Sequence, residues 1–446
     1  MTDQQRPCNL IKRRHFLLGL GAAVVTAACS SKNITVVAPT TSTTSAADGT
    51  VTPRKSPAPR TPTTLPPGSL GGRDDRTLVI LELGGGNDGL NMVIPYANNA
   101  YYDLRPNIGI RDPLDLDGSI GLHPNLTAIA SQYAAGNAAV IEGVGYPNPN
   151  LSHFESMETW WSGTNKPNSE TGWIGRYLDG TVGYDDLLAG ITVGPGPSRA
   201  MLGAGSFVVN IQDAGGLSSQ VPWWIDEEGD FFAMWGGFAP VDVPLGELTP
   251  VERAIGATVR ANTRLSEGLR PLQTAVENGD IPEDEQWTIQ GQLRLAANLI
   301  TAGVAPRVIY LHGMGDFDTH ENLIARQAAL MTDINNGIKT FYEIIDTAGA
   351  SDDVILMTTS EFGRRADENG EGTDHGTAAS QFIIGKSVAG GRYGEQPSLT
   401  RLDPDGNLVH TVDFRSTFAT VLDDWLGVDH SPVLEGTFET LPFLQT

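Results

Sequence analysis

Thr77–Leu83 (TLVILEL) is a continuous apolar run that ends in Gly84, Gly85 and Gly86. An unbroken run of this kind, with no polar face, suits a strand buried on both sides, as in a parallel sheet. Similar short runs recur at 138–144, 307–311, 354–358 and 381–384, separated by helical patterns near 123–135, 152–162, 284–303, 321–348 and 413–426. This alternation predicts an α/β fold with a mainly parallel central sheet and helices on both faces. Residues 195–250 break the rhythm, with Trp223, Trp224, Phe231, Phe232 and Trp235 among glycines and prolines, and read as a loop-rich insertion or lid. No internal repeat is visible.

Ahead of this body, residues 12–18 read Lys-Arg-Arg-His-Phe-Leu-Leu, and an apolar stretch runs from Phe16 to Ala28. A twin arginine before a short apolar segment has the form of a twin-arginine export signal, which implies the corresponding translocase as a partner. Cleavage after Ala28 would expose Cys29 as a lipid anchor; the alternative is simple cleavage with an inert Cys29. Residues 29–72 are dominated by Ser, Thr, Pro and Ala and read as a disordered tether, with the body spanning 73–446. The expected location is extracytoplasmic, with the membrane contacted through the anchor alone.

The formal charge of the 446 residues is −24. Residues 1–28 hold four basic residues and one acidic one, so the remainder carries 25 basic and 52 acidic residues, a charge of −27. Such a surface repels phosphate backbones and argues against a nucleic-acid partner. The only cysteines are Cys8 and Cys29, which excludes thiol chemistry and cysteine zinc sites in the body.

In an open α/β sheet, ligands bind beyond the carboxyl ends of the strands. The polar residues in those positions are one-sided in kind: Asn87 and Asp88 after the first run, Asp316, Asp318 and His320 after the run at 307, Ser360 and Glu361 after the run at 354, and Asp374-His375 after a glycine-rich loop. Carboxylates and imidazoles are the side chains that hold divalent metals. Each also has an ordinary reading. Asp88 fits a turn before Gly89, and Asp318 with Glu321 has the spacing of a capping box. Glu361 and His375, taken singly, fit polar loops. Ser152, with Glu155 three residues on, reads as a helix cap or as a hydroxyl nucleophile at a helix amino terminus. His123, His410 and His430 read as structural, and His312 has no acidic neighbour until Asp316.

The ordered segments GGGNDGLNMVIPY, LHPNL, LSHFESMETWW, DTHENLIARQ, TTSEFGRRADENGEGTDHG and DFRSTFATVLDDWLG resemble the bacterial family called domain of unknown function 1501 over residues 75–430. That family is similar in turn to the alkaline phosphatase and sulfatase superfamily. The resemblance implies a metal-dependent hydrolase or transferase of phosphate or sulfate esters, acting on a small or polymeric ester substrate. Asp88, Asp318, His320, Glu361 and His375 would be metal ligands and Ser152 the nucleophile. From its place next to Glu361, Arg364 or Arg365 reads as an anion clamp or as an exposed, solvated charge. Three departures stand out. The middle pair is Asp-x-His, where the superfamily has Asp-x-x-x-His, a spacing that Asp316 and His320 supply; Phe362 replaces a ligand histidine; and Ser152 lacks the cysteine-based sulfatase signature. Loss of one histidine leaves an oxygen-rich set, which points to one or two ions of Ca²⁺, Mg²⁺, Mn²⁺ or Zn²⁺. The rival expectation is a surface lipoprotein whose chemistry has lapsed and which binds cell-wall or extracellular polysaccharide through the aromatic insertion.

Overall fold

Val79 and Leu81 face one side of the first run, Leu78 and Ile80 the other, and all four are buried. Full burial of such a side chain is worth about 1.5–3 kcal/mol, so the run stabilises two cores at once. The computed structural model describes residues 34–37, 65–66, 68–73, 75–166, 169–182, 186–206, 208–212, 243 and 247–445. The leader, Cys29 and the aromatic residues 223–235 lie outside the described residues.

The central sheet is built from β1 (Ile34–Val37), β2 (Thr77–Glu82), β3 (Ala138–Gly145), β4 (Gly190–Val193), β5 (Val208–Ile211), β6 (Val308–Leu311), β7 (Val354–Thr359), β8 (Ala379–Ile384), β9 (Gly391–Tyr393) and β10 (Val412–Asp413). Across the sheet the order is β1, β5, β4, β6, β2, β7, β8, β3, β9, with β10 also paired to β3. The block β5, β4, β6, β2, β7 is parallel throughout. β8 runs antiparallel to β7 and β3, and β1 antiparallel to β5.

Helices 127–134, 250–277, 289–301 and 323–347 cover one face. Helices 153–162, 173–181 and 414–420 cover the other. The mainly parallel α/β sheet with helices on both faces is therefore what the chain forms. Among the described residues, no helix is long and apolar enough to cross a membrane.

Two boundaries differ from expectation. Within the supposed tether, Ile34–Val37 pairs with Val208–Ile211, because a β-branched run can close an open strand edge even inside a Ser/Thr/Pro-rich stretch. Further along, the Leu70 amide donates to Gly180 O (3.2 Å) and its side chain packs on the core. The supposed insertion at 195–250 likewise holds β5, a buried strand of the sheet itself. The long helix 250–277 follows it directly, opened by a capping box between Thr249 and Glu252 with Pro250 in its first turn.

Candidate metal centre

β6, β2 and β7 are neighbours, so the segments leaving their carboxyl ends meet at one rim. After β2 the chain must pass very close to both others. A Cβ on Gly85 (φ +119°) would lie 2.5 Å from the Asp318 amide nitrogen, and one on Gly86 (φ +73°) would overlap the ring of Phe362. Only glycine fits both the space and the backbone. The Gly85 amide then donates to Glu361 Oε1 at 2.9 Å.

Helix 153–162 brings a fourth segment to the rim. Its Trp160 stacks on Phe414 with ring centroids 4.3 Å apart, and it ends at Gly163 in the left-handed conformation. The Ser156 hydroxyl donates to Glu361 O (2.6 Å) and lies 2.8 Å from the Tyr146 hydroxyl, which fixes the first turn above β7. His153, the first helical residue, is thereby placed over Glu361.

Three imidazoles and one carboxylate converge. Nε2 of His375 lies 3.1 Å from Nε2 of His153 and 3.0 Å from Nε2 of His320. Asp318 Oδ1 is 3.0 Å from His320 Nε2 and 3.2 Å from His375 Nε2, and Asp318 Oδ2 is 3.6 Å from His153 Nε2. His153, Asp318 and His375 each offer an atom within 4.8 Å of the other two, and His320 adjoins two of these three.

Each ring is held from behind through Nδ1: His153 by Glu361 Oε1 (2.7 Å), His375 by Leu151 O (2.8 Å), His320 by Asp374 Oδ1 (3.3 Å). Acceptors at all three Nδ1 atoms keep the proton there and turn the Nε2 lone pairs inward. Lone pairs at such separations repel unless a cation stands among them, and zinc sites with Zn–N bonds of about 2.0–2.1 Å bring ligand atoms about this close. The donor set therefore fits a divalent ion held by His153, His375 and Asp318, with His320 as the fourth ligand.

The electrostatics agree. Burial would raise the Asp318 carboxyl, but the hydrogen bond and charge of Arg364 outweigh it and hold the pKa at about 2. The Glu361 hydrogen bond raises His153 above the usual imidazole value. Phe362 lies under His153 and His375 with ring centroids 4.9 and 4.8 Å away, and is 1% exposed. It is the apolar floor of the site.

Several expected site residues have other partners. The Asp88 carboxylate is buried, accepts from Arg105 Nη1 at 2.8 and 2.9 Å, caps the Asn91 amide and receives the Thr373 hydroxyl. A carboxylate so fully paired has no lone pair for a metal. Glu361 is brought to the centre but grips His153 from outside it. Arg364 is buried, with Gly86 O (2.6 Å), Thr373 O (2.9 Å), Gly85 O and Asp318 as partners, so it cannot clamp an anion. Asp318 and His320 both reach the cluster, whereas Asp316 is 75% exposed and paired with Arg326. No capping box forms at Asp318, since the helix begins at Leu323.

Ser152 is exposed and its hydroxyl caps nothing, while Glu155 turns to Asn150. Its ring-bearing neighbour His153 was not singled out from the sequence. The signal available was its place beside Ser152 at the start of a helix next to the rim.

Among the other histidines, His430 is used on both nitrogens, by Asp423 and the Phe438 amide, and His312 bonds Gly196 O.

Fold and site together define an α/β protein with a histidine–carboxylate centre at the carboxyl rim of a mainly parallel sheet. Residues 256–439 match the model of the family described as "Protein of unknown function (DUF1501)", and the chain is similar to that family over this span. No curated protein matches the sequence.

Three solved structures to which the chain is similar can be named. One is a protein in the alkaline phosphatase superfamily from Vibrio parahaemolyticus (12% identity, 83% of this chain and 71% of that one, TM-score 0.39). Another is a lipoteichoic acid synthase from Listeria monocytogenes (9%, 81% and 75%, 0.32). The third is the C-terminal periplasmic domain of EcEptC from Escherichia coli in complex with Zn (10%, 86% and 94%, 0.37).

Proposed function

We propose that this chain is an exported metal-dependent hydrolase or transferase of phosphate or sulfate esters, working with a single ion. The observation that carries this reading is the inward convergence of the Nε2 atoms of His153, His320 and His375 on Asp318, with every Nδ1 engaged behind. Three nitrogens and one carboxylate favour Zn²⁺ or a similar transition ion over Ca²⁺ and Mg²⁺, which prefer oxygen. The oxygen-rich set expected from the sequence is replaced because Asp88 and Glu361 are used elsewhere. Lewis acidity toward a non-bridging ester oxygen is what such an ion supplies when bound.

The chain's own residues do the positioning. Glu361, Asp374 and Leu151 O hold the Nδ1 protons, Arg364 keeps Asp318 ionised and aimed, and Phe362 excludes water beneath the rings. Ser152, exposed at the amino end of helix 153–162, is the hydroxyl best placed to receive a transferred group; a water molecule is the alternative nucleophile.

A second reading is favoured by one specific observation. Ser152 has no hydrogen-bonded base and Arg364 is spent on backbone carbonyls, so the centre lacks two parts that an ester hydrolase commonly uses. On that reading the protein is a metal-holding lipoprotein with lapsed chemistry that binds extracellular polysaccharide. Export by the twin-arginine route and anchoring through Cys29 belong to both readings.

The experiment is elemental analysis of the purified body, followed by aryl phosphate, phosphodiester and sulfate assays before and after chelation. Stoichiometric zinc with chelator-sensitive turnover is expected. Metal without turnover leaves the binding reading, and absence of metal sinks both.

A further inference from the structure

The charges around the centre do not suit every ester of the proposed class. Asp318, Glu361 and Asp374 all touch its imidazoles, and among the described residues Arg364 is the one basic side chain in contact with it. Three carboxylates against one guanidinium leave two negative charges, which a single divalent ion cancels. A second ion would give the site a net positive charge, but the carboxylate expected to hold it, Asp88, is saturated by Arg105 in a fully buried pair.

Around the centre the exposed groups are acidic. Asp316 (75% exposed) and Asp374 (56%) are joined by the exposed Glu321, next to His320, and Glu371, whose carbonyl accepts the Leu323 amide. The nearby cations are already faced by carboxylates: Arg326 pairs with Asp316 at 2.7 Å, and half-buried Arg365 lies in the field of both Asp374 and Asp403.

From this arrangement we infer that the site selects singly charged tetrahedral esters, phosphodiesters or sulfate monoesters, and discriminates against phosphate monoester dianions. The inference rests on the reading of the centre as a one-ion ester site. Its physical basis is that a dianion must enter a neutral centre past a negative rim, where Arg364 and Arg326 are paired with carboxylates and the charge of Arg365 is offset by the fields of Asp374 and Asp403. A monoanion meets half of that opposition, and the phosphoryl group of a monoester is mostly doubly charged above pH 6.

The test uses phenyl phosphate, methyl phenyl phosphate and phenyl sulfate, which share one organic group, at pH 8 on the zinc-loaded full chain. Binding is read by calorimetry and by the thermal shift of the protein, and turnover is followed in parallel. The two monoanions are expected to bind roughly tenfold more tightly than phenyl phosphate, a difference of about 1.4 kcal/mol. Their relative turnover then separates a diesterase from a sulfatase.

The triple variant Asp316→Asn, Glu321→Gln, Glu371→Gln lies outside the ligand set. It is expected to improve phenyl phosphate binding severalfold and monoanion binding by about the square root of that factor, which narrows the discrimination. Equal or tighter binding of the dianion by the unaltered chain overturns the inference. Preferential monoanion binding with no turnover of any ester keeps the inference and sinks the hydrolase reading instead.

Discussion

Glu361 holds His153 in place from a strand end 208 residues away, its Oε1 lying 2.7 Å from the ring's Nδ1. The same carboxylate receives the Gly85 amide, so one side chain ties the glycine loop, β7 and helix 153–162 together. Outer partners of this kind typically contribute ten- to a hundredfold to metal affinity. Glu361→Leu should therefore weaken zinc binding by about that factor, measured by competition with a chromophoric chelator. Glu361→Gln, whose amide oxygen still accepts from Nδ1, should retain most of the affinity. Equal losses in the two variants would mean that Glu361 acts through its charge and not by fixing the tautomer.

Asp88 and Arg105 allow the opposite experiment, in which stability moves and metal does not. Both side chains are at most 1% exposed, and Arg105 also donates to Ala366 O (2.9 Å) and Arg365 O (2.8 Å). Arg105→Ala leaves a buried carboxylate unpaired, which costs about 3–5 kcal/mol. Chemical denaturation should show that loss. Asp88→Asn, by contrast, should keep stoichiometric zinc by elemental analysis; if its metal content collapses, Asp88 is a ligand after all.

What the sequence disclosed and what it hid divide along physical lines. β2, β3, β6, β7 and β8 were legible because each is an apolar run bounded by turn residues, and the rim followed from them. β4 and β5 were not, since four-residue strands among glycines and prolines give too little periodicity to stand out. The convergence of Asp318, His320 and His375 was legible from their places after the strand at 307 and the glycine-rich loop. The pairing of Asp88 and Arg364 was not legible, because their partners, Arg105 and the carbonyls of 85, 86 and 373, are brought to them only by the tertiary fold. Local sequence cannot show that a buried charge is already paired. His153 was not legible because Glu361, which orients its ring, is 208 residues away in sequence.

His123 gives a prediction that does not depend on the metal. Burial pulls its pKa down to about 4, and its unprotonated Nδ1 accepts from the Asn125 amide at 3.1 Å. Between an unfolded value near 6.5 and the folded one, the unfolded chain takes up a proton that the folded chain refuses. Stability from this group is thus whole above pH 6.5 and is lost as the pH falls to 4, by on the order of 3 kcal/mol. His123→Asn, whose Oδ1 can stand in for Nδ1, should remove this part of the acid slope in denaturant titrations run at intervals between pH 4 and 7. An unchanged slope would place the acid lability elsewhere.

Glu82 should behave in the reverse sense. It ends β2 below the centre, 6% exposed, with Oε2 accepting from the Tyr310 hydroxyl (2.6 Å) and from Trp161 Nε1 (2.8 Å). A small cavity of about 10 Å³ lies among Glu82, Tyr310, Thr359 and Glu361, room for no more than one water. Burial pushes the Glu82 carboxyl up to about 7, against the pull of its two donors and with a further push from the charge of Glu361. A carboxyl with a raised pKa keeps its proton in the folded chain at pH values where the unfolded chain has released it. Its contribution is therefore full below about pH 4.5 and declines as the pH rises through 7, by on the order of 3 kcal/mol. Glu82→Gln replaces the charged form with a neutral one that can still accept both donors and can turn its amide nitrogen toward Glu361. The variant should be more stable than the parent at pH 8, nearly equal to it at pH 4.5, and unchanged in zinc content. If it is instead less stable at pH 8, the Glu82 pKa is not raised in the native protein, and the Tyr310 and Trp161 hydrogen bonds favour the charged form despite burial and the charge of Glu361.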